Sequence, residues 1–559
     1  MYAMRNGLLV FLVVVFTSAL FAQGLGESGT SGNAMVASEH RLASDVGVQI
    51  LQNGGNAVDA AVAVGFALAV VYPEAGNIGG GGFMVIRLPD GTATTIDYRE
   101  TAPAAAHEDV YIDEDGELRR DWSLAGARAA GVPGSVAGML KAWENYGSLP
   151  LEAIINPAIN IARNGFELQT VDVRPIHSLR RQLARFDETA EIFLPEDRIL
   201  QAGDRFVQPE LARTLERIRN NGRDGFYTGE TADHIVETME QHDGWITHDD
   251  LANYEAVERE PLQTTYRGYE MITMGPPSSG GVAMIQMLQM LENTELSRHP
   301  HSSIEHVHLL AEVMKRAFAD RNAYIGDPDF VAIPIDMLLS ADYNAQHYQT
   351  IDPNRASEAE QIQLTDEETE TTHYSVVDSE GMAVSVTTTI NSLFGSKLVV
   401  RGAGFFLNNE MNDFSLQPDG RDQFGLRASE ANMIEPGKRM VSSMTPTIVV
   451  QNDQPVLTLG ARGGPRIISA VFQVIINTID YDMPLDDAVA ARFFHHQWQP
   501  DRLEYLPRAL SFRQLRHLRR MGHNPVIRRN SGRVVAISRI NEELVGATTL
   551  YSGGGIRGY

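Results

Sequence analysis

The absence of cysteine is the most restrictive property of this sequence. A disulfide framework, a thiolate nucleophile and a cysteine-ligated metal site all require that residue, so all three are excluded. Any covalent catalysis must therefore use another nucleophile, such as a hydroxyl group.

Lysine is scarce, and acidic residues outnumber basic ones. Only four of the 559 residues are lysine, and the formal net charge is −26. A strongly acidic surface repels nucleic acid and anionic membranes, so we expect neither as a partner of the mature chain. A hydrophobic content of 43% with 21% charged residues is typical of a globular protein.

Long apolar runs are missing except at the N-terminus. Arg5 precedes the apolar residues 8–16, and small residues follow at 17–19 and at Ala22. The run is shorter than the ~20 residues of a membrane span, so residues 1–22 are interpreted as a secretory signal peptide. A retained signal anchor is the alternative. Since export without disulfides suits a bacterial periplasm or medium, we expect a periplasmic or secreted protein.

The first two-thirds of the chain has mainly helical patterns. They cover most of residues 34–70 and 132–330, and Ser302 to Glu305 resemble a capping box that begins a helix through Phe318. From Thr371 onward the pattern changes to one typical of β-strands, with apolar and polar residues in alternation. It predicts a β-hairpin with strands over 374–378 and 382–389, and further strands over 447–450 and 456–459. Helices, then strands, then helices indicate layered sheets covered by helices.

Neither the glycine-rich loop nor the paired histidines indicates a cofactor. Residues 76–82 lack the lysine of a phosphate-binding loop and lead into a strand, so tight backbone packing explains them better. His306 and His308 are two apart on a predicted helix and point to different faces. The adjacent His495 and His496 have the same weakness. We therefore predict no cofactor and no metal.

Thr371 is the most informative residue of the chain. It begins a strand directly after an acidic stretch that ends at Glu370. An internal threonine has no base for its hydroxyl group. Cleavage of the Glu370–Thr371 bond would give Thr371 a free α-amino group, whose ordinary pKa near ~8 allows it to accept the hydroxyl proton. By itself such a segment more often simply begins a strand.

Several downstream segments could assist a hydroxyl nucleophile. Two carboxylates that suit an ammonium group lie three residues apart, and an arginine near the N-terminus suits a carboxylate. Paired serines offer hydroxyl groups, and paired glycines could direct backbone N–H groups toward an oxyanion. These residues are Glu410 and Asp413, Arg99, Ser442 and Ser443, and Gly463 and Gly464. An ammonium site beside a carboxylate site describes an amino-acid headgroup, although each segment alone is more often structural.

Taken in order, these segments resemble the γ-glutamyltransferases, or glutathione hydrolases, over nearly the whole mature chain. No single segment is decisive, but the ordered set is highly specific. It comprises residues 54–60, 76–83, 133–136, 275–281, 371–375, 407–414, 442–447 and 492–498.

The resemblance implies an N-terminal-nucleophile hydrolase, an α+β fold built as a four-layer αββα sandwich. It also implies a precursor that cuts itself between Glu370 and Thr371. The large subunit would comprise residues 23–370 and the small subunit residues 371–559, and the two would remain together as one intertwined heterodimer. The expected substrates are glutathione and other γ-glutamyl compounds, with water, amino acids or peptides as acceptors.

The resemblance also assigns roles to individual residues. Thr371 matches the nucleophile, Thr389 the threonine held beside it, and Asn391 a contact to the substrate headgroup. The remaining residues are grouped by the part of the substrate that they would bind. Arg99, Ser442 and Ser443 match ligands of the α-carboxylate, Glu410 and Asp413 acceptors from the α-amino group, and Gly463 and Gly464 the oxyanion donors.

Two departures from the family pattern stand out. The loop that covers the pocket, here about residues 415–436, commonly carries a tyrosine. This chain has Phe424 there, so the covering loop lacks the hydroxyl of a polar latch. Near the C-terminus the usual Asp-Pro-Arg is replaced by Thr548-Thr549-Leu550. The sequence assigns no consequence to the second change.

Three alternatives stay open at this point. A glutaryl-cephalosporin acylase would share the fold and the nucleophile, but its substrates lack an α-amino group and have less use for both Glu410 and Asp413. The second alternative is a relative that processes poly-γ-glutamate. The covering loop weighs against it, because an open cleft suits a polymer substrate better. A non-catalytic protein that binds γ-glutamyl compounds would not need Thr371.

Overall fold

The computed structural model describes residues 27–195, 198–358, 371–417, 420–423, 425–528, 532–549 and 554–559. The predicted signal peptide, Glu370, Phe424 and Leu550 lie outside these ranges. Among the residues within them, no helix has both the length and the apolar character needed to cross a bilayer.

Two antiparallel sheets of seven strands each form the centre of the molecule. In strand order the first is β1-β18-β17-β13-β12-β9-β8 and the second is β19-β2-β10-β11-β3-β4-β7. The strands of the first sheet are β1 (Ser28–Ser31), β8 (Leu262–Tyr266), β9 (Tyr269–Thr273), β12 (Thr447–Gln451), β13 (Gln454–Arg462), β17 (Arg533–Ile540) and β18 (Glu543–Thr548). Those of the second are β2 (Met35–Ser38), β3 (Gly81–Arg87), β4 (Ala93–Asp97), β7 (Val257–Arg259), β10 (Thr372–Val377), β11 (Ala383–Thr389) and β19 (Gly555–Gly558). The short strands β5 (Phe166–Glu167), β6 (Arg205–Phe206), β14 (Phe494–His495), β15 (Leu503–Tyr505) and β16 (Pro525–Ile527) form two small sheets outside this centre.

Helices cover the outer face of each sheet. Those of the N-terminal part are α1 (Arg41–Gln52), α2 (Ala57–Val71), α3 (Arg120–Leu124), α4 (Ser135–Tyr146), α5 (Leu151–Asn164), α6 (Thr170–Leu183), α7 (Asp187–Phe193), α8 (Pro209–Asn221), α9 (Asp224–Tyr227), α10 (Gly229–Gln241) and α11 (His248–Asn253). The others are α12 (Gly280–Leu291), α13 (Ile304–Tyr324), α14 (Ile335–Leu338), α15 (Ala341–Gln349), α16 (Arg466–Ile479), α17 (Leu485–Ala490) and α18 (Phe512–Met521). Because α2 packs on β10 and α16 packs on β13, the layers are helix, sheet, sheet and helix, as predicted.

Alternation along the strands explains how both faces of a sheet are buried. In β2, Met35 and Ala37 join the apolar cluster between the sheets, whereas Val36 points to the first helical layer. Successive side chains of a strand point to opposite faces, so a strand that is covered on both sides needs apolar residues at nearly every position. The same requirement explains why every residue of β3 is buried.

The two segments expected to become subunits alternate in both sheets. In the second sheet, β10 and β11 of the C-terminal segment lie between β2 and β3 of the N-terminal segment. A cut after residue 370 would therefore leave every one of these strand pairs in place.

Some local predictions were wrong in detail. Residues 35–38 are a strand rather than a helical segment, because they pair with β10 and β19. The predicted capping box at Ser302 and Glu305 is also displaced. Ser303 is the N-cap, its hydroxyl accepts from the N–H of His306, and the helix continues to Tyr324 instead of ending at Phe318.

Candidate active site

The predicted β-hairpin places Thr371 opposite Thr389. Strands β10 and β11 pair with Thr372 beside Thr388, so the residues one step further meet at the open end of the hairpin. Their hydroxyl oxygens lie 3.4 Å apart, and both side chains are buried. At the closed end, Asp378 accepts from the N–H groups of Glu380 and Met382, which fixes the turn and therefore the register.

The glycine loop brings the backbone close to the same point. A Cβ atom on Gly80 would lie 2.1 Å from the carbonyl oxygen of Thr389, which no side chain tolerates. The packing role predicted for residues 76–82 is therefore confirmed at Gly80.

Asn391 connects the hairpin with the acidic residues. Its backbone φ is +73°, a left-handed conformation that asparagine tolerates better than most residues. Its N–H donates to the Thr389 hydroxyl at 2.7 Å, and its side-chain amide donates to Asp413 Oδ1 at 3.1 Å. Asn391 thus links the threonine beside the candidate nucleophile to the candidate headgroup site through hydrogen bonds.

Three carboxyl groups surround the guanidinium of Arg99, which is almost fully buried. The guanidinium lies 2.7 Å from Glu410 Oε2, 2.5 Å from Asp413 Oδ2 and 3.5 Å from Glu100 Oε2. Its Nε also donates to the carbonyl oxygen of Met440 at 3.2 Å. Glu100 was not among the predicted residues.

The carboxyl groups of this cluster resist ionisation. Burial raises the pKa of Glu100 to about 8, although the charge of Arg99 opposes the shift. Burial likewise raises the pKa of Glu410 far above its usual range and raises that of Asp413. One guanidinium is too little positive charge for three buried carboxylates, so the cluster favours a bound proton or a further cation.

Gly463 and Gly464 lie between β13 and α16. Both have a positive φ, +129° and +58°, which allows a tight turn there. Neither N–H donates to a backbone carbonyl of another described residue. The dipole of α16 begins at this turn and favours negative charge, which suits an oxyanion.

Ser442 and Ser443 line the same space as these groups. The Ser442 hydroxyl accepts from the N–H of Met444 at 3.1 Å, so its own proton remains free to donate to a ligand. Ser443 is only partly buried.

A single cavity joins nearly all of these residues. It encloses about 360 Å³, part of it open to solvent, and nine of the ten predicted site residues line it. They are Arg99, Thr371, Thr389, Asn391, Glu410, Asp413, Ser442, Ser443 and Gly464. Gly463 is adjacent in the chain but is not part of the lining.

The sequence matches the model of the family described as gamma-glutamyltranspeptidase over residues 43–559. The chain belongs to the γ-glutamyltranspeptidase family. The resemblance recognised from the ordered segments is therefore confirmed, and the chain is an enzyme of this type.

Two groups of curated relatives match most of the chain. The glutathione hydrolase proenzyme of Escherichia coli strain K12 is 44% identical over 474 residues, which cover 84% of this chain and 82% of that protein. The acylase ACY 1 proenzyme of Pseudomonas sp. strain SE83 is 40% identical over 470 residues, 83% and 82% of the two chains. Relatives with either name therefore match most of this chain, the glutathione hydrolase proenzyme at the higher identity.

Solved structures confirm the predicted fold. The cephalosporin acylase of Bacillus halodurans superposes with a TM-score of 0.83 at 26% identity and covers 95% of this chain and 97% of its own. The γ-glutamyltranspeptidase of Helicobacter pylori is 41% identical, with a TM-score of 0.57 over 60% of this chain and 93% of its own.

Arg321 on α13 is a cavity residue that the sequence did not reveal. Its Nε donates to the Ser279 hydroxyl at 3.2 Å, and the side chain lines the cavity together with Asp422 and Leu426 of the covering loop. A lone arginine within a helical pattern gives no signal, because only the tertiary packing of α13 aims it at the site.

His306 and His308 lie in different environments, as expected. His306 packs against His301 and Tyr481, whereas His308 contacts His523. His308, Glu312 and His523 place possible ligand atoms within 4.8 Å of one another. However, the ammonium of Lys315 lies 3.1 Å from Glu312 and already supplies the positive charge that this buried carboxylate needs.

Proposed function

We propose that this enzyme is a γ-glutamyltransferase with glutathione hydrolase activity. Thr371 attacks the γ-carbonyl of a γ-glutamyl amide, and the α-amino group of the cleaved chain accepts the hydroxyl proton and passes it to the leaving amine. The product is an ester between the γ-glutamyl group and Thr371. Water then hydrolyses this ester, or an amino acid or peptide takes the γ-glutamyl group.

The other cavity residues have roles that follow from their chemistry. The N–H groups of Gly463 and Gly464 stabilise the oxyanion at the start of α16. Arg99, Ser442 and Ser443 bind the α-carboxylate of the substrate. Its α-ammonium lies against Glu410 and Asp413, with Asn391 holding Asp413 in place, and Thr389 positions the nucleophile.

The single observation that carries this proposal is the surplus of carboxyl groups around Arg99. Three buried carboxyl groups with one guanidinium form a site that a bound ammonium group would complete. A γ-glutamyl group brings that ammonium, and a glutaryl group does not. This favours γ-glutamyl transfer over the acylase activity of the other named relatives.

Comparing two anilides tests the proposal directly. Purified enzyme should release the aniline from γ-glutamyl anilide much faster than from glutaryl anilide, and glycylglycine should accelerate the first reaction by acting as acceptor. Faster release from the glutaryl compound would establish the acylase alternative instead.

Processing and location belong to the same proposal. Self-cleavage before Thr371 would give a large subunit of residues 23–370 and a small one of residues 371–559, held together by the alternating strands of both sheets. We further propose removal of residues 1–22 during export to the periplasm or the medium. The apolar run at residues 8–16 supports this.

The ratio of the two anilide activities should increase with pH. Burial raises the pKa of Glu100 to about 8, so below that pH the carboxyl cluster holds a proton in the empty site, and binding of an ammonium against Glu410 and Asp413 displaces it. Between pH 6 and 8 we expect kcat/KM for γ-glutamyl anilide to rise relative to that for glutaryl anilide, by at most about tenfold per pH unit for one proton. Titration of the Thr371 amino group affects both substrates and cancels in the ratio.

A Glu100→Gln variant provides the control for this pH dependence. Its amide cannot titrate, so the ratio should vary less with pH than in the wild type. A ratio that stays constant from pH 6 to 8 in the wild type would contradict the role assigned to the carboxyl cluster.

Arg321 should discriminate between substrates by the charge of their leaving group. Glutathione carries a second carboxylate beyond the scissile bond, whereas γ-glutamyl anilide does not. We expect Arg321→Gln to raise KM for glutathione by roughly 10- to 100-fold, the value of a charge-assisted hydrogen bond, and KM for the anilide by less than about threefold. Equal effects on both substrates would show that Arg321 acts only through the packing of α13.

A further inference from the structure

One stretch of the sequence reverses the overall charge of the chain. Residues 505–541 contain nine arginines and no aspartate or glutamate, although the net charge of the whole chain is −26. The region includes α18, with Arg513, Arg516, Arg519 and Arg520 on its surface. We call these four side chains, together with Phe512 and Ile527, the basic face.

The fold holds the basic face outward. Leu518 and Met521 bury the apolar side of α18 in a cluster with Val307 and Ala311 of α13. Ser511 caps the helix with a capping box, which fixes its first turn. Since the apolar side is already packed, the arginines must face the solvent.

These four arginines lack the carboxylate partners that several less exposed arginines of this protein have. No carboxylate among the described residues lies within ion-pair distance of any of the four, whereas Arg119, Arg217 and Arg557 each pair with one. The guanidinium of Arg516 instead lies over the ring of Phe512, 4.9 Å from the ring centroid, in a cation–π contact. Four unneutralised positive charges on one short helix create a local positive potential. The acidic residues elsewhere in the chain do not cancel it.

The same face carries the most exposed large apolar side chains of the described residues. Phe512 is 70% exposed and Ile527 is 57% exposed, more than any other large hydrophobic residue there. Strand β16, which contains Ile527, packs beside α18. Neither side chain is part of the core, so their apolar character does not stabilise the fold.

We propose that the basic face docks the protein on an anionic lipid surface. Arginines beside exposed apolar side chains suit the interface of a bilayer, where headgroups pair with the cations and the apolar groups reach the acyl boundary. A nucleic acid would use the arginines but would leave Phe512 and Ile527 in water. The charge of −26 does not prevent docking, because at physiological ionic strength charges beyond ~8 Å are screened.

Vesicle binding of the full processed protein tests this inference. The probes are phosphatidylcholine vesicles with and without about one-third phosphatidylglycerol. Each basic residue at an anionic leaflet strengthens binding roughly fivefold. We expect binding only to the anionic vesicles, and a loss of at least about a hundredfold when Arg513, Arg516, Arg519 and Arg520 are all changed to Gln. Phe512→Ser should weaken binding by about tenfold.

A second set of substitutions controls for net charge. Arg174, Arg181, Arg185 and Arg213 are exposed on other helices or loops, and changing all four to Gln alters the net charge equally. This control should bind like the wild type, and both quadruple variants should keep the wild-type anilidase rate. Equal binding to both vesicle types, an equal loss in the control, or binding to heparin or DNA without binding to anionic vesicles would overturn the inference.

Discussion

A Thr371→Ala variant should remain a single chain of about 60 kDa and should have no measurable γ-glutamyl anilidase activity. The Thr371 hydroxyl must first attack the preceding carbonyl to form an ester, which water then cleaves. Without it neither the free α-amino group nor the nucleophile of the mature enzyme can form. Gel electrophoresis and intact-mass measurement distinguish one chain from two.

The neighbouring threonine offers a matched control for this variant. Thr372 is buried, and its hydroxyl has no hydrogen-bond partner among the residues that the structure describes. Thr372→Val has nearly the same shape and should process and turn over normally. Two subunits from the Thr371→Ala protein, or a single chain from Thr372→Val, would refute the assignment of the cleavage nucleophile.

Asp413→Asn should separate the two candidate activities. Asparagine keeps the shape of Asp413 but removes the negative charge that would face the substrate ammonium. Loss of one partner of a buried charge pair costs about 2–5 kcal/mol, or roughly 30-fold to several thousand-fold. We expect kcat/KM for γ-glutamyl anilide to fall by this factor, and activity on glutaryl anilide to fall much less or to rise.

Asp422 provides the comparison for Asp413. It lines the same cavity and caps the turn of the covering loop by accepting from the N–H of Leu426, a role that asparagine can also perform. Asp422→Asn should therefore change both activities by less than about threefold. If Asp413→Asn reduced both activities equally, Asp413 would not recognise the amino group.

The sequence was informative wherever the physical requirement is local. The hairpin around Thr371 follows from alternation and from a turn that Asp378 and Gly381 support, and its register then places Thr389 beside Thr371. The glycine loop was interpreted correctly because only glycine allows the backbone to approach Thr389 so closely. The ordered segments were also sufficient to recognise the family.

Contacts between distant parts of the chain were not accessible in this way. Arg99 and Asp413 are 314 positions apart, and only the packing of the two chain segments reveals that Glu100 joins them. Strand β2 was missed because its pairing with β10 and β19, not its own pattern, makes it a strand. The position of the N-cap at Ser303 likewise depended on how the chain enters α13.

What the sequence by itself determined is therefore the family and the local hairpin that carries Thr371, the candidate nucleophile. These depend on residue identity and short-range hydrogen bonding. Only the tertiary structure decided that three carboxyl groups share one guanidinium, that Arg321 enters the cavity and that the basic face of α18 points to solvent. Burial and charge balance are sums over neighbours from the whole chain, and the order of residues does not specify those neighbours without the fold.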